Sequence, residues 1–250
     1  MILSITQSTP ASTYPRPVDT AILGSAGGLL FGSELFKSHL ASTQPRWTSV
    51  NSLDSRIRDN MVWSNQNLSK AALTSDILLY TVFLPSVFWV PAIKSQNYWQ
   101  EVHVLGEVAV LNGIITQIIK FTVARQRPYA HFSAVKTESS DDNLSFFSGH
   151  TSFSFSLAVA SSLLLSKHYP KMKEYIWAAF ISLATFTSYL RIGADKHYFT
   201  DVLTGMIIGS TIGYLVIAGR KQSLDLFTIS PQDSTNKETL TSFRYSVFQF

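Results

Sequence analysis

Six apolar stretches divide this chain, at about residues 20–33, 77–93, 104–123, 151–166, 175–190 and 202–218. A helix crossing a bilayer wants about 20 predominantly apolar residues, with about 17 as a tolerated lower end. The second and sixth stretches are good spanning candidates, several others run slightly short, and the Gly-rich first is the poorest. Tyr80, Trp89, Tyr175 and Trp177 flank them and are placed to anchor short spans at the interface. In hydrocarbon every backbone N–H and C=O must find its partner inside the protein, which leaves helices as the natural form for segments of this length. The fold predicted is all-α: an integral membrane bundle of about six helices.

Composition points the same way. Apolar residues make up 46% of the chain and charged residues only 14%, fewer charges than an ordinary soluble domain carries. The net charge of +4 is spread over scattered Lys and Arg without a basic stripe; this excludes nucleic acid as the expected partner and favours the bilayer with its anionic headgroups. Cysteine is absent, so disulfides, thiolate-bound zinc and a thiol nucleophile are excluded. Residues 1–17 carry neither a basic start nor a long apolar run, and do not read as a signal peptide.

Helix punctuation agrees with these limits. Ser75-Asp76 reads as a cap for the second stretch, Ser148 or His150 opens the fourth, and Asp201 lies in the first turn of the sixth, where a carboxylate suits the positive dipole end. Pro170, Lys171 and Lys173 separate the fourth from the fifth. Gly205 with Gly209, and Ser154, Ala158 and Ser162, recur at a spacing that lets packed helices approach closely. Three regions follow: residues 1–75, a tail, first helix and interfacial segment; residues 76–219, the membrane-embedded core; and residues 220–250, a polar tail whose end, 239–250, has some β propensity. Within the first region, residues 36–74 suit one or two interfacial amphipathic helices.

The charged residues are ordered on this frame. Lys120 ends the third helix and Arg127 follows it, Ser148-Gly149-His150 starts the fourth, Arg191 ends the fifth, and His197 and Asp201 bracket the start of the sixth. In an up-and-down bundle all these ends face one side of the membrane, so topology alone gathers a site at the helix ends. Three cations suit a phosphoryl group, whose transition state spreads negative charge over three oxygens, and two histidines suit the attacking and departing atoms. His197 and Asp201, four residues apart, are neighbours on a helical turn, where a carboxylate on one imidazole nitrogen would leave the other a free lone pair.

Three blocks carry a resemblance. Lys120-Phe-Thr-Val-Ala-Arg-Gln-Arg127-Pro128, Phe147-Ser148-Gly149-His150, and Leu190-Arg191 followed after five residues by His197-Tyr-Phe-Thr-Asp201 resemble the type 2 phosphatidic acid phosphatase and vanadium haloperoxidase superfamily, in its membrane lipid phosphatase branch. Phe147, Leu190 and Phe199 depart from the usual Pro, Ser and Pro. The resemblance implies a metal-free phosphatase, without cofactor, acting on a phosphate monoester or diphosphate of a membrane lipid. It implies His197 as nucleophile through a phosphohistidine, Asp201 as its orienting carboxylate, and His150 as general acid. Lys120, Arg127, Ser148, Gly149 and Arg191 then hold the phosphate. A lipid phosphotransferase and a catalytically silent scaffold of the same fold are the alternatives.

Other charged residues read as structural. His103 and Glu107 share a helical face as a pair, His131 is a loop histidine, and Arg125 and Lys196 are electrostatic helpers. Asn112, Thr116 and Lys120 form a polar stripe toward the site. The Lys and Arg balance is nearly even across the membrane, and Lys167, Lys171 and Lys173 tip it toward a site facing away from the cytoplasm, which for a bacterial chain is the outer side of the inner membrane.

Overall fold

The computed structural model describes residues 15–133 and 139–220. Most of the N-terminal tail and all of 221–250, including the candidate strand at 239–250, lie outside the described residues. The principal helices are α1 (Pro17–Leu35), α2 (Ser52–Met61), α3 (Leu68–Lys94), α4 (Tyr98–Val123), α5 (Gly149–His168), α6 (Lys173–Gly193) and α7 (Phe199–Gly219). Among the described residues there is no strand, only an isolated bridge between Trp47 and Arg125. Helices α1, α4 and α6 run toward one end of the bundle, and α3, α5 and α7 run away from it. Leu23 beside Gly106 and Leu30 beside Gly113 fix α1 parallel to α4, and Lys94 over the Tyr169 ring ties the C-terminal ends of α3 and α5 together.

Helices α3, α4, α6 with its preceding turn, and α7 are long and apolar enough to cross a membrane. Helix α5 is not, and its position explains why. It is packed by α7, α6, α4 and α3, so its serines 152, 154, 156, 161 and 162 are fully buried. A helix with no lipid face needs no lipid-facing apolar stripe. Its contact with α7 is backbone-close: a Cβ on Gly209 or Gly213 would overlap the Ser152 and Ser156 main chain. Gly205 and Gly209, which the sequence marked for close approach, lie on this contact, and Ser154, Ala158 and Ser162 are fully buried.

One further expectation changes. Helix α3 begins at Leu68 rather than near residue 77, so Ser75 and Asp76 sit inside it instead of capping it, just before a π-helical turn at Leu78–Phe83. The polar segment ahead of α3 is a strap across the bundle end. The Arg46 N–H donates to the Ala124 carbonyl (3.0 Å), Arg58 grips Asp195 with two 2.7 Å bonds, and the Trp63 N–H donates to the Gly193 carbonyl (2.9 Å).

At the opposite end, Arg220 makes two bonds to Glu107 (2.7 and 3.0 Å), and His168 lies 3.0 Å from Glu101. The carboxylate on α4 thus has the partner that burial beside lipid demands.

Candidate active site

The strapped end holds a cavity of about 720 Å³. Lys120 in the last turn of α4, Arg127 just beyond it, Gly149 and His150 at the start of α5, Arg191 in the last turn of α6 and His197 before α7 all line it. Ser148 is the N-cap of α5, fully buried, with its hydroxyl oxygen accepting from the Thr151 hydroxyl at 3.1 Å. The start of α5 therefore turns its free N–H groups and dipole toward the cavity. Gly149 keeps that approach open: a Cβ there would come 3.3 Å from Thr116 Cγ2 and 3.6 Å from Lys120 Nζ. Asn112 Oδ1 accepts from the Ser152 hydroxyl (2.5 Å) one turn deeper, so the α4 polar stripe lies against the first turns of α5.

His197 is almost wholly buried, with Nδ1 2.7 Å from the Ser145 carbonyl oxygen. A carbonyl only accepts, so Nδ1 carries the proton and Nε2 keeps a lone pair. This corrects the direct His197–Asp201 bond expected from the four-residue spacing, because Asp201 Oδ2 stays 3.8 Å from Nδ1. Asp201 acts one bond further back. It accepts from the Ser145 hydroxyl (2.5 Å) and from the Tyr198 N–H (3.0 Å), fixing the residue whose carbonyl fixes His197. Burial, then the cations Arg127, Lys120 and Arg191, hold His197 well below its ordinary value of 6.5, so the ring is neutral near pH 7.

Behind His197 stands a brace. Arg125, 1% exposed, donates to Asp201 (2.6 Å), Asp54 (2.8 Å) and Thr200 (2.8 Å), with its guanidinium 4.1 Å from the centroids of both Trp47 and Tyr198. Asp54 also accepts from the Thr200 N–H and hydroxyl. Arg125 is thus much more than an electrostatic helper, and the strap residues Trp47 and Asp54 complete it.

His150 is held from α3. Its Nε2 lies 2.7 Å from Asp76 Oδ1, and Tyr80 meets its ring edge-on at 6.3 Å between centroids. Arg191 Nη1 donates to Ser75 (3.0 Å) and lies 3.3 Å from the same Asp76 oxygen. Tyr80, read from the sequence as an interface residue, also lines the cavity. Arg127 donates to the Asp141 carbonyl (2.8 Å) and pairs with its carboxylate (3.2 Å), which Lys37 also meets at 2.7 Å. Although burial opposes it, Arg127 and Lys37 keep Asp141 well below the usual carboxylate range. Lys196 joins the wall over the Tyr129 ring. His131 is exposed, beside Gln126, and does not line the cavity. Among the described residues no group of three His, Asp or Glu is gathered that could hold a metal.

The remaining wall is apolar, with Leu30, Phe31, Leu79, Leu84 and Phe153. Helix α1 packs along α4, and α1 and α3 both contribute residues to the cavity wall. At the rim, Gln117 donates to Glu34. The fold and this site define an integral membrane helical protein whose helix ends converge on a cationic, two-histidine cavity with an apolar wall.

Residues 101–224 match the model of the PAP2 superfamily. A Drosophila melanogaster protein described as a phosphatidate phosphatase is 30% identical over 147 residues, 44% of this chain and 38% of its own length. Phospholipid phosphatase 1 of Rattus norvegicus is 26% identical over 152 residues, 50% of this chain and 52% of its own length. The chain thus spans about half, or less, of the curated relatives it matches. A transmembrane PAP2-type phosphatidylglycerolphosphate phosphatase from Bacillus subtilis shares the fold, with a TM-score of 0.58 at 19% identity over 84% of this chain and 98% of that one. The chain belongs to the PAP2 superfamily.

Proposed function

We propose that the protein hydrolyses a phosphate ester or diphosphate on a membrane lipid by way of a phosphohistidine. The observation that carries this reading is the free lone pair on His197 Nε2, set by the Nδ1 bond to Ser145, in a cavity walled by Lys120, Arg127 and Arg191. In the first step Nε2 bonds to phosphorus as the P–O ester bond breaks, its electron pair passing to the departing oxygen. Protonated His150 delivers a proton to that oxygen, and the product leaves as a neutral alcohol. In the second step His150 takes a proton from water, the water oxygen bonds to phosphorus, and the N–P bond breaks to release phosphate. The two arginines suit planar, paired contacts with phosphoryl oxygens, and Lys120 a point contact.

The apolar wall supplied by α1 and α3 supports a lipid substrate: a headgroup at the helix ends leaves its chains beside Leu30, Phe31 and Leu84. The relatives' phosphatidate and phospholipid phosphatase names support the same class. The lysines beyond α5 support a site turned away from the cytoplasm.

The test is release of inorganic phosphate from a panel of lipid phosphates by purified protein in chelator. Turnover of at least one lipid, blocked by vanadate and abolished in His197→Ala, is expected. A His197→Ala variant that kept most of its activity would overturn the nucleophile assignment. Appearance of a newly phosphorylated lipid without free phosphate would instead identify a phosphotransferase.

A further inference from the structure

The α3 carboxylate Asp76 has no place in the three motif blocks, yet it is bonded to two residues of the site. Its Oδ1 lies 2.7 Å from His150 Nε2 and 3.3 Å from Arg191 Nη1. The preceding residue, Ser75, is buried and holds the same Arg191 nitrogen at 3.0 Å. The π-helical turn that follows presents Tyr80 edge-on to the His150 ring, and such turns are frequent at functional sites. One stretch of α3 therefore grips His150 at one nitrogen and at one ring edge.

A carboxylate only accepts, so His150 Nε2 carries a proton in this contact. The nitrogen left to exchange a proton is Nδ1, which has no hydrogen-bond partner among the described residues. We propose that Asp76 is a positioning residue that commits His150 to a single proton-transfer nitrogen, Nδ1, and supplies the negative charge an imidazolium needs among cations. This rests on the reading of His150 as general acid. The charged and titratable groups around His150 are Asp76 and Tyr80 from α3, Lys120 from α4 and Arg191 from α6, with Arg127, Lys196 and His197 on the same wall. Asp76 is the only carboxylate in contact with the ring among the described residues. When Nδ1–H gives its proton to the departing oxygen, the ring is left neutral with Nε2–H still on Asp76; when Nδ1 takes a proton from water, the imidazolium is restored. The carboxylate itself exchanges no proton in either step.

Leaving-group dependence separates this role from simple support of the fold. An alkoxide departing from phosphatidate needs the proton; 4-nitrophenolate departing from 4-nitrophenyl phosphate does not. In full-length protein, Asp76→Asn and Asp76→Ala are expected to lower kcat/KM, which reports the step that expels the leaving group, about tenfold or more on phosphatidate, while kcat/KM on 4-nitrophenyl phosphate falls less than about threefold. Asp76→Glu is expected to restore part of the phosphatidate rate. Equal losses on both substrates would reduce Asp76 to a support for Arg191. A faster or tighter-binding Asp76→Ala would make the carboxylate a plug in the empty phosphate site, and also overturns the proposal. His150→Ala is the control: if it too lacks the leaving-group split, the general-acid reading of His150 has failed; if it has the split and the Asp76 variants do not, only the proposal for Asp76 has failed.

Discussion

Arg125 and Arg127 stand two residues apart in one loop and end in opposite surroundings. Arg125 has its charge answered: two carboxylates and a hydroxyl accept from its Nη1 and Nη2, two aromatic rings cover its guanidinium, and it does not line the cavity. Arg127 faces the cavity, where it shares Asp141 with Lys37 and where Lys120, Arg191 and Lys196 stand beside it, so that cations outnumber carboxylates along the wall. A buried cation with its charge fully answered builds the protein; a cluster with charge to spare is built for an anion that arrives later. The far end of the bundle belongs with Arg125 in this respect, since Arg220 and His168 each face a glutamate there.

The sharpest way to break this contrast is to remove each arginine in turn. Arg125→Ala leaves Asp54 and Asp201 buried without their shared cation, which costs about 3–5 kcal/mol. Thermal unfolding in detergent should show a large fall in Tm or loss of the folded protein; an unchanged Tm would mean that the brace does not hold this end together. Arg127→Ala should unfold close to wild type, while kcat/KM on a lipid phosphate drops about 10²- to 10³-fold, the scale for losing one preorganised charge partner of a developing oxyanion. If the two variants exchanged phenotypes, the division between brace and cradle would be wrong.

Acidity offers a smaller and more selective probe. His197 is depressed by burial and then by Arg127, so below pH 6.5 the folded protein binds fewer protons at this ring than the unfolded chain does. Its contribution to stability is therefore complete above pH 6.5 and is lost as pH falls toward the depressed folded value. The acidic limb of kcat/KM that reports His197 should lie below pH 6.5, and in Arg127→Ala it should move upward. Arg125→Lys, which retains the positive charge in the brace, should leave the limb in place wherever the variant folds. A limb that ignored Arg127 would separate the cradle's charge from His197.

Much of this was legible in the chain because it depends on local spacing. The apolar periods mark the helices, and their alternation sends Lys120, Arg127, His150, Arg191 and His197 to one end. The rest depends on partners that local pattern does not encode. Asp54 meets Arg125 across 71 residues of sequence. The acceptor for His197 is a backbone carbonyl, which has no residue signature. Asp76 resembles a helix cap as long as α3 is drawn from its apolar core; only the earlier start at Leu68 turns it inward, and the polar first turns that hide that start carry no apolar period to reveal it. Helix α5 shows the reverse: its serines lower its hydropathy because it sits at the centre.

A cavity walled by α1 and α3 and filled from the bilayer, as the proposed lipid substrate requires, changes what concentration means for this protein. A pocket reached from the side is filled from a two-dimensional reservoir, so any ligand carried by the bilayer presents itself as a surface density. Diluting such a ligand with inert lipid then starves the cavity even when the amount in the test tube is unchanged, whereas adding buffer at fixed lipid composition does nothing. For the lipid substrate proposed above, the packing of α1 along α4, which puts Leu30 and Phe31 on the cavity wall, would make the composition of the surrounding leaflet part of the site.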